Sequence, residues 1–132
     1  MGLQLQVKTF KPAAASTTSV AAAQTLGGAG NMSLATAAGT GAYAGTNVGS
    51  TISLTSTGNI SARTFTVTGT DASGSTITED ITGPNNTTVT GSVFFSTVTQ
   101  IAVDGAVGTN TSAGNGADTV GAIFTGATRV KG

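Results

Sequence analysis

Apolar and polar residues alternate one by one along several short stretches of the chain. Ile52 and Leu54 alternate with serine and threonine, and Phe65 and Val67 alternate with threonine a few residues later. Successive side chains of a β-strand point to opposite faces of the sheet, so this period of two predicts strands with one buried face. The clearest predicted strands cover residues 51–55, 63–70 and 75–81.

Turn residues separate these stretches at near-regular intervals. The segments 71–74 and 83–86 are rich in Asp, Asn, Gly and Pro, which favour the backbone conformations of tight connections. Residues 87–93, 94–103, 119–124 and 127–131 predict further strands, whereas the glycine- and asparagine-rich stretch 105–118 predicts a loop. Short strands at this spacing predict an all-β fold, an antiparallel β-sandwich or jelly-roll-like domain of about seven strands.

The first 50 residues lack this regular pattern. Leu3, Leu5 and Val7 alternate with glutamine as a strand would, but Pro12 has no backbone donor and ends regular pairing. Alanine-rich runs and repeated glycines follow, without an apolar face at helical spacing. We predict that residues 1–50 form an extended, Gly/Ala-rich N-terminal arm with short strands and that residues 51–132 form the β-sandwich domain. A plain flexible linker is the alternative interpretation of the arm.

The composition indicates a thin core and few charged partners. Aromatic residues make up 5% of the 132 residues, and 20 glycines raise the entropic cost of ordering the backbone, so we expect a partner subunit to complete the stability. Charged residues make up only 8%, and five basic residues balance five acidic ones. Nucleic-acid binding needs clustered Lys and Arg, and a membrane helix needs about 18 consecutive apolar residues. The chain has neither pattern, so we expect no nucleic-acid partner and no membrane partner.

The chain offers little catalytic chemistry. It contains no histidine and no cysteine, which removes the commonest general base, the thiolate nucleophile and most transition-metal ligands. Glu79 and Asp80 are adjacent, so on a strand they point to opposite faces and cannot act together on one substrate. We therefore predict that the protein is not an enzyme and has no catalytic, cofactor-binding or metal-binding residues. A lyase or glycosidase that uses only Asp and Glu is the remaining enzymatic alternative.

Scarce large apolar residues mark candidate contact surfaces. Only one residue of the adjacent pair Phe94 and Phe95 can point into a core, and an outward Phe often marks an interface. The alternative is that the N-terminal arm of the same chain covers that outward Phe. The alternating N-terminal segment is suited to adding a strand to the sheet edge of a neighbour. The predicted subunit or capsid interface residues are Leu3, Leu5, Val7, Phe10 and Phe94.

Several segments resemble a known class of proteins. They are A-A-A-Q-T-L-G-G-A-G-N-M-S-L at 21–34, S-T-G-N-I-S at 56–61, T-F-T-V-T-G-T-D at 64–71, T-I-T-E-D-I-T-G-P-N at 76–85 and T-V-T-Q-I-A-V-D-G at 97–105. Together, in this order, they resemble small virion structural proteins of tailed bacteriophages. Within that class the chain is most similar to capsid decoration, or cement, proteins.

This resemblance implies a β-sandwich or jelly-roll-like unit, often a homotrimer, that binds the outer surface of a phage capsid. It implies the major capsid protein and further copies of the same chain as partners, the capsid exterior as the location, and no cofactor. Two alternatives stay open. One is a tail-fibre, collar or receptor-binding β module of a virion, and the other is a bacterial surface β module.

Overall fold

The alternating stretches form paired β-strands in a computed structural model, which describes residues 15–35 and 49–119, with the backbone alone for residues 117–119. The described part contains eight strands and no helix, and so no helix that could cross a membrane. The strands are β1 (Ala21–Leu26), β2 (Gly30–Asn31), β3 (Ser50–Ser56), β4 (Thr64–Thr70), β5 (Thr76–Thr82), β6 (Thr88–Thr90), β7 (Thr97–Val103) and β8 (Val107–Thr119).

These strands form two four-stranded sheets in which every pairing is antiparallel. The first sheet has the order β1-β8-β3-β6 and the second has the order β2-β7-β4-β5. The two sheets share one apolar core, to which the first contributes Ile52 and Leu54 and the second contributes Phe65, Val67 and Ile101, all fully buried. The predicted all-β, antiparallel sandwich is confirmed.

The first 50 residues contribute to both sheets. β1 pairs with β8 in the first sheet, and β2 pairs with β7 in the second. Val20, Ala21 and Met32 are buried in the shared core. Short strands were predicted within this arm, and residues 15–35 pack as part of the sandwich, while residues 1–14 and 36–48 lie outside the described residues.

The prediction of a loop over residues 105–118 is wrong, because β8 runs from Val107 to Thr119 and lies inside the first sheet between β1 and β3. A Cβ added at Gly114 would collide with the carbonyl oxygen of Ser16, and one added at Gly116 would collide with the hydroxyl of Thr51. Glycine in a strand often marks such a close approach of another segment. Gly114 and Gly116, which had suggested a loop, therefore allow close packing. The strands predicted at 119–124 and 127–131 lie, from residue 120 onward, outside the described residues.

Two strands define one lateral side of the sandwich. β6 ends the first sheet and β5 ends the second, and the two strands contact each other across the open side of the core. This side carries the candidate site.

Candidate interaction site at the β5 edge

β5 is a regular strand whose outer edge has no partner strand in the described part of the chain. It pairs with β4 without a register shift, from Thr64 opposite Thr82 to Thr70 opposite Thr76. Just beyond the strand ends, the Gly83 amide donates to the Arg63 carbonyl oxygen at 2.8 Å, and the Asp71 amide donates to the Ser75 carbonyl oxygen at 2.9 Å. Hydrogen-bonded residues alternate along an antiparallel pair, so the odd-numbered residues of β5 direct their main-chain groups toward β4.

It follows that the even-numbered residues of β5 direct their main-chain N–H and C=O groups to the open edge. Their side chains are exposed on the outer face of the sheet; these residues are Thr76, Thr78, Asp80 and Thr82. The other described edges are less suitable for pairing, since β2 and β6 have two and three residues and β1 contains register shifts. A long, regular and unpaired edge is a template for adding a strand from another chain.

A groove of about 300 Å³ runs beside this edge, between β5 and the segment that includes β6. Its lining residues are Glu79 to Thr82 on one side and Val89 to Ser92 on the other. Ile77, Val89 and Val93 lie at this side of the sandwich and are only partly buried against the core. The edge therefore combines main-chain groups that have no partner strand in the described part with a partly buried apolar rim, formed by Ile77, Val89 and Val93.

Glu79 connects β5 to the segment that follows β6, across this groove. Its Oε1 accepts hydrogen bonds from the Ser92 amide at 2.6 Å, the Ser92 hydroxyl at 3.1 Å and the Val93 amide at 3.3 Å. Its Oε2 is buried and has no hydrogen-bond partner among the described residues. A Cβ added at Gly91 would collide with this carboxylate, so glycine leaves room for it. Glu79 thus places an acceptor with unused capacity at the groove.

Asp80 gives the outer side of the same edge a negative charge. Its side chain is exposed, and its Oδ1 accepts a hydrogen bond from the Thr66 hydroxyl at 2.6 Å. Glu79 and Asp80 are the charged residues among those that line the groove, and both are acidic. The edge is therefore complementary to a segment that carries a positive charge.

A second groove, of about 460 Å³, lies on the first sheet. Its lining residues are Ala15, Ser16, Thr17, Ser53, Thr88, Thr90, Asn115 and Gly116, none of them charged. Ser19 fixes Asn115 there, because its hydroxyl donates to the Asn115 Oδ1 at 2.7 Å. Thr90 also lines the groove beside β5. This hydroxyl-lined groove therefore borders the same side of the sandwich as β5.

The other carboxylates have structural surroundings. Asp71 begins the hairpin between β4 and β5, and its Oδ1 accepts from the Ser73 hydroxyl at 2.6 Å, the Ser73 amide at 2.8 Å and the Ser75 amide at 2.9 Å. The Ser73 hydroxyl first, and then the Ser75 amide, hold the pKa of Asp71 below its ordinary value. Gly74 completes the turn with a φ of 88°, which favours glycine. Asp71 is therefore a turn residue.

The described residues also contain an exposed ion pair, Arg63 Nη1 to Asp104 Oδ1 at 3.9 Å. Exposed pairs of this kind contribute about 0–1 kcal/mol. Within residues 15–35 and 49–119, no cluster of three or more His, Cys, Asp or Glu side chains could hold a metal ion.

Of the predicted interface residues, the structure places Phe94. Its neighbour Phe95 is fully buried in the core, while Phe94 is half-buried and lies against Gly49. Leu3, Leu5, Val7 and Phe10 lie outside the described residues, so the interface roles of all five stay predictions. The sequence did not single out Thr78 as an edge residue. The alternation in β5 was visible, but alternation does not tell which strand ends a sheet.

No known protein family, no curated protein and no solved structure matches the chain. A proposal for the function therefore depends on the geometry of the β5 edge and on the sequence resemblance described above.

Proposed function

We propose that the protein is a virion structural protein of a tailed bacteriophage, which binds the outer surface of the capsid and stabilises its lattice. The observation that carries the proposal is the regular edge of β5, which has no partner strand among the described residues and lies beside a groove. The resemblance of segments within residues 21–34 and 52–105 to phage virion proteins supports the same role.

A lattice-stabilising subunit must hold neighbouring subunits without attracting unrelated molecules. Main-chain hydrogen bonds at a sheet edge supply such contacts, and they require no charged side chains. The chain fits this requirement because only 8% of its residues are charged and its formal net charge is zero. The major capsid protein and further copies of this chain are the proposed partners, and the role requires no catalysis, cofactor, nucleic acid or membrane.

Two alternatives make different demands on copy number. A tail-fibre, collar or receptor-binding module is present in a handful of copies per particle, whereas a decoration protein follows the capsid lattice. A bacterial surface module is absent from particles altogether. Neither alternative has a specific feature of the β5 edge in its favour.

The copy number in purified virions therefore tests the proposal. We expect quantitative mass spectrometry with labelled peptide standards to give a ratio to the major capsid protein near one, or a simple fraction that holds over the whole lattice. A handful of copies per particle would transfer the protein to the tail, collar or fibre. Complete absence from particles that contain their other structural proteins would overturn any virion role.

A further inference from the structure

We infer that the open edge of β5 accepts residues 3–8 of a second copy of this chain as an added antiparallel or parallel strand. The contact joins copies of the chain, so it can fail while the virion role holds, and it can hold in a protein that never reaches a particle. The occupant is identified by its alternation, its charge and the length of chain that carries it.

The alternation of the segment matches the two faces of β5. Leu3, Leu5 and Val7 share one face of an extended strand, and Gln4, Gln6 and Lys8 share the other. On β5, the odd-numbered residues face the groove and its partly buried apolar rim, and the even-numbered residues are exposed. A strand added in register would place its apolar face over the groove and its glutamines beside Thr78 and Asp80.

Charge also selects this occupant. Lys8 lies on the glutamine face of the segment, which is the face that would meet Asp80 on the outer side of β5. Antiparallel pairing of β5 with β5 of another copy, centred on Glu79 or Asp80, would instead bring these acidic residues close to their own counterparts. Like charges opposite each other destabilise a strand pair, so self-pairing of this edge is disfavoured.

The chain outside the described part is long enough to reach a neighbour. Fourteen residues precede Ala15, and a segment of that length extends up to about 46 Å. That exceeds the radius of gyration of about 14 Å expected for a domain of 132 residues. Each copy has one N-terminal segment and one β5 edge, so the contact is head-to-tail and is saturated when copies close into a ring.

Cysteine cross-linking tests the contact directly, because the 132-residue chain contains no cysteine. Chains that carry Gln4→Cys or Gln6→Cys are mixed with differently tagged chains that carry Thr78→Cys or Asp80→Cys, and disulfides form under mild oxidation. We expect covalent heterodimers from at least one of the four pairs on a non-reducing gel. The matched control pairs Leu5→Cys with Thr78→Cys. Leu5 lies between Gln4 and Gln6 in the sequence, but its side chain would point to the opposite face of the added strand, so this pair should give no heterodimer.

Three results would overturn the inference. No heterodimer from any same-face pair would exclude the contact. Equal cross-linking of the Leu5→Cys control would show a non-specific encounter. If the double variant Gln6→Cys/Thr78→Cys closed only within single chains, the segment would belong to the edge of its own copy.

A second experiment changes the edge itself in the complete 132-residue chain. Thr78→Pro removes the outward amide of Thr78 without touching a β4 hydrogen bond, whereas Thr78→Val keeps the amide and removes only the hydroxyl. We expect the Thr78→Pro dissociation constant for self-association to rise at least about tenfold in analytical ultracentrifugation, because a lost hydrogen bond with local misfit is worth about that factor. Thr78→Val should associate like the parent.

The circular dichroism spectrum shows whether each variant keeps its fold. Self-association of folded Thr78→Pro with unchanged affinity would overturn the inference, as would a parent chain that stays monomeric at all concentrations. If Thr78→Pro does not fold, the cross-linking result alone decides.

Discussion

Glu79 is a carboxylate on the inward face of a strand, between two isoleucines. Burial of a charged group is costly unless hydrogen bonds replace its hydration. The three donors from Ser92 and Val93 supply this replacement to one oxygen, and they connect the second sheet to the segment after β6. Alternation in the sequence placed Glu79 in phase with Ile77 and Ile81, but donors 13 and 14 residues away could not be read from the pattern.

Two substitutions together separate the loss of the Glu79 hydrogen bonds from the loss of a negative charge. We expect Glu79→Ala to lower the free energy of unfolding by about 1–3 kcal/mol, because it leaves the Ser92 and Val93 amides without their acceptor. Asp80→Asn is the matched control, because it removes the same charge from the next residue and retains an acceptor for the Thr66 hydroxyl. Urea unfolding of the two variants measures the two losses of unfolding free energy. Equal losses would contradict a stabilising role for the hydrogen bonds between Glu79 and the segment after β6.

At the level of elements, alternation predicted the strands that have one apolar and one polar face. The predicted strands 63–70 and 75–81 correspond to β4 (Thr64–Thr70) and β5 (Thr76–Thr82), each within one residue. β8 was missed because residues 111–116 are buried on both faces of the strand, so their small side chains reflect close packing and do not alternate between apolar and polar. The candidate site was also missed, because its main feature is the position of β5 at the end of a sheet, and alternation within a strand does not show which strand ends a sheet.

The close packing of β8 can be tested with two glycines of that strand. A Cβ at Gly114 would meet the Ser16 backbone, whereas a Cβ at Gly108 would meet nothing within 4 Å. We expect Gly114→Ala to destabilise the protein by about 1–3 kcal/mol through overpacking. Gly108→Ala should be neutral or should stabilise by up to about 1 kcal/mol, since alanine restricts the unfolded chain. Thermal unfolding of both variants gives the comparison, and similar melting temperatures would mean that residues 16 and 17 do not cover β8.

At the scale of the whole molecule, three features bear on the proposed structural role. Its core contains few aromatic residues, its surface carries few charges, and the long edge of β5 is unpaired within the described residues. Each feature alone is compatible with an isolated domain. In combination they fit the proposed role of a subunit held by neighbours, because an edge of this kind is normally paired, covered or interrupted.

The same composition predicts how the stability of the molecule responds to pH. The chain has no histidine, the side chain whose ordinary pKa of about 6.5 lies in the neutral range. It also has no cysteine, whose ordinary pKa is about 8.5. The Asp71 pKa is lowered in the folded state, so its contribution is present above its unfolded pKa of about 3.9 and is lost as the pH falls through the folded value. We expect the urea midpoint to be constant from about pH 5 to pH 7.5 and to fall below about pH 4.

Asp71→Asn separates this turn from the other carboxylates. The amide oxygen still accepts from Ser73 and Ser75 but does not titrate, so the midpoint of this variant should fall less between pH 5 and pH 3 than that of the parent. An equal fall in both chains would show that the hairpin carboxylate contributes nothing to the acid sensitivity. A change of the parent's midpoint between pH 5 and pH 7.5 would instead reveal a titrating group that the composition does not predict. Constant stability across that range would suit the proposed lattice role, because a stabilising subunit must withstand moderate changes in the acidity of its surroundings.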